Sequence, residues 1–202
     1  MIARLVGSEM CIRDSYSEVV ARLGSPFFVK PTREGSSLGV AKVRNEDEYL
    51  EALKEAFSLD HKILLEQAII GREIEAAVLG NDSPEVAATL GEIIPNHEFY
   101  SYDAKYVDPN GASLKIPAKL EADVANRIRD LAVESFRIVE GLGMARVDFF
   151  LTKDNQIYIN EINTLPGFTS ISMYPKLWEA SGLSYSELLH QLVQLGLQRA
   201  AV

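Results

Sequence analysis

The sequence predicts an α+β fold with antiparallel or mixed sheets and packed helices. Short apolar runs of strand length alternate with helical periodicities along most of the 202 residues. Two such runs flank Asp154-Asn155, a turn-forming pair, as in an antiparallel hairpin. A hydrophobic content of 47% supports one well-packed domain, or one large and one partial domain.

Residues 1–15 carry no sustained period and read as a leader foreign to the rest of the chain. A helix is expected from Tyr16 to Leu23, stopped by Gly24. Phe27-Phe28-Val29-Lys30 reads as a strand ended by Pro31, and Val40 to Val43 as its return. Asn45 caps the next helix with Glu48 as capping-box partner, and Leu50, Leu53 and Phe57 form its apolar face. Ile63 to Leu65, Ile74 to Leu79 and Val86 to Ile94 read as three further strands. Residues 95–118 lack a period, and so long an irregular stretch is usually functional. Val124, Ile128, Leu131, Phe136 and Val139 mark a helix ending at Gly141 or Gly143. A strand pair over 146–163 and two helices complete the chain, the second opening on the capping box Ser184/Glu187.

Net charge is −9, so a nucleic-acid partner is not expected. An acidic protein that binds polyphosphate must place isolated cations locally and recruit divalent metal. Cys11 is the single cysteine, and His61, His97 and His190 are far apart, which excludes an intrachain disulfide and zinc-type spacing. No apolar run is long enough to span a membrane and no secretory signal is present, so a cytoplasmic protein is expected.

The segment from Arg146 to Asn163 is the most informative. With a two-residue turn at Asp154-Asn155, Asp148 faces Glu161 and Arg146 faces Asn163. Period-two alternation then puts all four on one face, and Val147, Phe149 and Ile162 on the other. Two carboxylates ~5 Å apart at an effective dielectric of ~20 repel by about 3 kcal/mol. Arg146 offsets part of this, and a hard cation with Asp, Glu and Asn oxygens would offset more. Mg²⁺ keeps few protein ligands and favours phosphates, so the pattern implies a nucleotide. A solvated hairpin face explains the spacing alone about as well. The turn Thr164 to Ser172, with Gly167 allowing close backbone approach, favours the functional reading. Glu34 to Gly39, rich in Gly and Ser and following Lys30, has the parts of a flexible phosphate cover. Glu66 and Glu73 flank a short linker containing Gly71.

Taken together, Val29-Lys30-Pro31-Thr32-Arg33-Glu34-Gly35-Ser36-Ser37-Leu38-Gly39, Ala104-Lys105-Tyr106, Arg146-Val147-Asp148 and Asn160-Glu161 through Ser170 resemble the D-alanine–D-alanine ligase family of ATP-grasp enzymes. The resemblance runs from about Leu23 to Leu197. It implies two lobes sandwiching a nucleotide, with 16–72 a partial central lobe and 73–202 the carboxyl-terminal lobe. It implies ATP and two Mg²⁺ ions, with Mn²⁺ as a substitute, and D-alanine as substrate for peptidoglycan synthesis. Lys30, Ser36, Ser37 and Lys105 would contact the phosphates. Glu66, Gln67, Ala68 and Phe99 would hold adenine, and Glu73 the ribose. Asp148, Glu161 and Asn163 would bind the metals. Arg146 and the Gly167 N–H would form the oxyanion site, and Ser172 and Met173 the site for the second D-alanine. Tyr106 resembles the residue of dipeptide-forming members, with D-lactate or D-serine as the alternative acceptor. Family members begin with a further domain, absent here or replaced by residues 1–15, and are typically homodimers. A catalytically incomplete nucleotide-binding fragment is therefore the second expectation.

Overall fold

The computed structural model describes residues 4–5, 8–9, 15–35, 37–95, 112–169 and 171–200. Ser36, Phe99, Lys105 and Tyr106 lie outside the described residues, as do Cys11 and His97. The elements are β1 (Arg4–Leu5), β2 (Ser8–Glu9), α1 (Tyr16–Leu23), β3 (Phe27–Pro31), β4 (Ala41–Val43), α2 (Glu46–Leu59), β5 (Ile63–Gln67), β6 (Arg72–Gly80), β7 (Glu85–Val86), β8 (Gly91–Pro95), β9 (Ala112–Lys115), α3 (Ala122–Ile138), β10 (Gly143–Leu151), β11 (Ile157–Asn163), α4 (Met173–Ala180) and α5 (Tyr185–Ala200). The chain divides into two compact units, one holding Arg4–Ile70 and the other Gly71–Ile94 with Leu114–Val202.

The first unit is a sheet of order β2-β5-β3-β4 packed on α1 and α2. Strand alternation turns Phe27, Val29 and Pro31 inward and leaves Phe28 and Lys30 on the other face. Ser15 caps α1 through a reciprocal pair, its Oγ accepting the Glu18 N–H and the Glu18 carboxylate accepting the Ser15 N–H. Helix α2 corrects part of the expected apolar face: Leu53 packs against the core, but Leu50 and Phe57 do not lead it. Tyr49, Ala52 and Ala56 are its buried residues, while Leu50 is 59% exposed and Phe57 37% exposed. Two alanines let the helix lie close to the sheet, and the Tyr49 ring fills the remaining space against Phe27 at 5.6 Å between centroids. Largest hydrophobic residues are thus a poor guide where small side chains set the approach. Asn45 caps α2 as expected, but the Glu48 carboxylate takes the Arg44 N–H, one residue earlier than the capping-box partner.

The second unit is built on a sheet in which β11, β10, β6 and β8 follow in order, with β7 also on β6. Ile74, Ala76 and Val78 of β6 and Ala145, Val147 and Phe149 of β10 form one face of it, packed with Val124, Ile128, Ala132 and Phe136 of α3. The expected strand from Val86 to Ile94 is two pieces. Val86 pairs with Val78, but Gly91 pairs with Glu75, so the chain takes up two extra residues between them. That kink is tied to the end of α4, with the Thr89 N–H donating to Ser181 Oγ and Thr89 Oγ1 to the Ala180 carbonyl. The last helix opens on Ser184 and Glu187, which bond each other reciprocally as the capping box requires.

The β10–β11 hairpin differs from its expected form in a way that matters. The turn is a three-residue loop, not a two-residue one: the Thr152 N–H donates to the Gln156 carbonyl, and Asn155 takes φ 60°. Near the tip, Leu151 therefore faces Ile157 and Phe149 faces Ile159. A bulge then inserts Asn160, and from there Asp148 faces Glu161 and Arg146 faces Asn163. The expected register at the acids is reached by two deviations that cancel.

Candidate active site

On the face of the second sheet opposite α3, register places Glu73 and Glu75 from β6, Arg146 and Asp148 from β10, and Glu161 and Asn163 from β11. Cross-strand pairs share a face, so Asp148 lies between Glu75 on one side and Glu161 on the other. Three acids in a row would repel strongly. Arg146 is the countercharge. Its Nε–H donates to Asp148 Oδ1 and its Nη2 to Oδ2, each at 2.7 Å, a bidentate pair. Arg146 Nε is also 3.2 Å from Glu75 Oε2. Burial by itself would lower the Arg146 pKa, but Asp148, Glu75 and Glu161 together hold it above its ordinary value. Arg146 stays a fixed cation at every accessible pH.

Asn163 knits the other side. Its Nδ2 donates to Asp148 Oδ2 at 3.0 Å and to Glu161 Oε1 at 3.2 Å. Asp148 and Glu75 are buried, and Glu161 is exposed. Among the described residues no group of three or more His, Cys, Asp and Glu side chains forms a metal cage. The donor set fits a hard cation in a different manner: two carboxylates and the Asn163 side chain share one face, and the amide, which here turns Nδ2 to both acids, would turn its oxygen to a cation and leave further positions for water or phosphate.

After β11 the chain folds back on itself. Ser172 Oγ accepts the Thr169 N–H at 3.0 Å and lies 2.9 Å from Thr169 Oγ1. A Cβ at Gly167 would come within 2.7 Å of Ser172 Oγ, so a larger residue there would push that hydroxyl off Thr169. The loop thereby brings Gly167 and Ser172 together. The Met173 side chain is buried at 3% exposure against Gly91, which leaves the backbone of this first residue of α4 for any substrate contact.

In the first unit, Lys30 and Glu66 lie on the sheet face turned away from α1 and α2, with Nζ and Oε1 2.8 Å apart. Phe28 faces Glu66 directly, and Gln67 and Ala68 continue the chain beyond it. Ser37 adopts φ 63° in the turn that closes the Gly/Ser loop, where the Leu38 N–H donates to the Gly35 carbonyl.

Two contributing residues carried no expectation. Asp60, 4% exposed, anchors the base of the Gly/Ser loop: it accepts Thr32 Oγ1, the Arg33 and Lys62 N–H groups and the Arg33 guanidinium. The other is Glu75. Its signal was a pair of acids, Glu73 and Glu75, which strand alternation puts on one face, in a strand that is otherwise apolar from Ile74 to Leu79.

Comparison with known proteins places this geometry in a class. Solved structures share the fold: the D-alanine–D-alanine ligase from Coxiella burnetii has a TM-score of 0.82 at 40% identity, covering 98% of this chain and 53% of that one. The VanG D-Ala:D-Ser ligase from Enterococcus faecalis has a TM-score of 0.82 at 37% identity, covering 96% and 57%. The fold is that of the ATP-grasp enzymes.

Residues 5–194 match the family described as D-ala D-ala ligase C-terminus, and the chain belongs to that family. Among curated relatives, D-alanine–D-alanine ligase A of Salmonella typhimurium is 57% identical over 185 residues, 92% of this chain and 50% of that protein. The D-alanine–D-alanine ligase of Oceanobacillus iheyensis is 56% identical over 196 residues, 97% and 52%. The chain spans about half the length of the curated relatives it matches.

Proposed function

We propose that this chain supplies the nucleotide-binding and ligating part of an ATP-dependent D-alanine–D-alanine ligase of peptidoglycan synthesis. One observation carries the proposal: Arg146, Asp148, Glu161 and Asn163 converge on one sheet face, and the Gly167–Ser172 turn follows that strand directly in the chain. Family membership supports it.

In the proposed reaction a carboxylate oxygen of one D-alanine attacks the γ-phosphorus of ATP, and ADP leaves. The amine of a second D-alanine attacks the acyl carbon, inorganic phosphate departs with the C–O bond, and the amine loses a proton. Lys30, Ser36, Ser37 and Lys105 contact the phosphates, Glu66, Gln67, Ala68 and Phe99 the adenine, and Glu73 the ribose. Arg146 and the Gly167 N–H stabilise the oxyanion of the tetrahedral intermediate, and Ser172 with the backbone of Met173 orients the second carboxylate. Asp148, Glu161 and Asn163 would hold Mg²⁺, which supplies charge neutralisation for phosphoryl transfer. The substrate would be small and the whole enzyme a cytoplasmic homodimer. No described helix is long and apolar enough to cross a membrane.

Calorimetric titration with Mg²⁺·ATP tests the site, using Glu161→Gln as control. Weaker binding by the variant is expected, and equal binding removes Glu161 from the metal set. The D-Ala:D-Ser ligase among the structural relatives makes D-serine the competing acceptor. Acceptor competition in a full-length enzyme carrying this chain decides between them, with D-alanine preferred if Tyr106 acts as proposed.

A further inference from the structure

Arg146 stands between two acids that are themselves direct cross-strand partners, Asp148 of β10 and Glu75 of β6. Its Nε carries a single hydrogen, which donates to Asp148 Oδ1 at 2.7 Å, while Glu75 Oε2 waits 3.2 Å from the same nitrogen. Glu75 is 5% exposed and lies beyond Asp148 from Glu161, outside the row of proposed cation ligands.

The function proposed above asks Asp148 for two incompatible things. It must keep a bidentate hold on Arg146, and it must present its oxygens to a cation. A cation on Asp148 competes for the same lone pairs and repels the guanidinium, which cannot shed its charge. With Asp148 as sole anchor, Arg146 would leave the sheet face just as the oxyanion site is needed. A second buried acid on the side away from the cation removes the conflict. We propose that Glu75 is a positioning residue: it receives the Arg146 Nε–H when Asp148 is drawn to the cation, and so keeps the guanidinium aimed while the ligand set fills. This inference rests on the assignment of Asp148 as a cation ligand. Glu75 itself touches neither substrate nor metal and acts through Arg146.

The test withdraws Asp148's charge without metal, by Asp148→Asn, and follows hydrogen exchange of the Arg146 Nε–H by ¹⁵N NMR in the 202-residue chain. The Asp148→Asn variant should keep the slow exchange of the parent, and Glu75→Gln should too. The double variant should exchange about tenfold faster or more, as loss of a charge-assisted hydrogen bond implies. Exchange in Asp148→Asn as fast as in the double variant overturns the role of Glu75. If the double variant does not fold, Asp148→Asn with Glu75→Asp holds the acid one methylene further off. Exchange there no faster than in Asp148→Asn alone also overturns it. The premise is read on a different signal: broadening of amides around Asp148 and Glu161 by Mn²⁺·ATP. A parent chain showing none refutes the cation assignment, whatever Arg146 does.

Discussion

Removing Arg146 should cost more than its partial exposure suggests. Arg146→Met keeps the aliphatic volume and deletes the charge, leaving Asp148 and Glu75, at 9% and 5% exposure, facing each other across two strands. Two buried carboxylates ~5 Å apart at an effective dielectric of ~20 repel by about 3 kcal/mol. Stripping one partner from a buried ion pair costs about 3–5 kcal/mol in general, consistent with that figure. Trp178, the single tryptophan, is 7% exposed in α4 of the same unit and reports its unfolding by fluorescence. With a urea dependence of about 2 kcal/mol per molar, the midpoint should fall by about 2 M. Arg146→Lys, which retains charge but not the planar fork, should recover part of the loss. A midpoint for Arg146→Met within about 0.5 M of the parent would show that Arg146 is not what makes the three acids tolerable.

Two further outcomes follow from local geometry. Gly71 enters β6 where an added Cβ would meet the Leu151 carbonyl oxygen at 2.7 Å, and backbone cannot yield as a side chain can; Gly71→Ala should cost about 1–3 kcal/mol by the same fluorescence assay. Asp60 is held well below the usual carboxylate pKa, chiefly by its hydrogen bonds from Arg33, with Thr32 and the Lys62 and Arg33 N–H groups adding to it. A depressed folded pKa stabilises fully above the unfolded value of about 3.9 and is lost as pH falls towards the folded value. Asp60→Asn should therefore weaken exchange protection of the Arg33 and Lys62 amides at neutral pH, with the gap to the parent closing below about pH 4.

Much of the site was legible because strand alternation is rigid. Once Asp148 and Glu161 were paired, Arg146 and Asn163 had to join them on that face. Caps were equally readable, since Ser184/Glu187 satisfies local N–H groups irrespective of the rest of the fold. Choices made by distant partners could not be read. The buried face of α2 was set by how closely Ala52 and Ala56 let it approach a sheet. The break between β7 and β8 depends on Ser181, some ninety residues away. Glu75 took its meaning only when β6 was seen beside β10, a pairing no short-range pattern announces.

The Asn160 bulge has an evolutionary and a practical consequence. Because an extra residue sits between the loop tip and Glu161, the two ends of the hairpin are mechanically decoupled, and the tip can vary in length without rephasing the acids. Residues 153–155 are thus a place to splice a reporter peptide with little penalty. Excising Asn160 alone would close the bulge, with Glu161 following Ile159 directly and still falling opposite Asp148, so the acids should keep their pairing through that deletion.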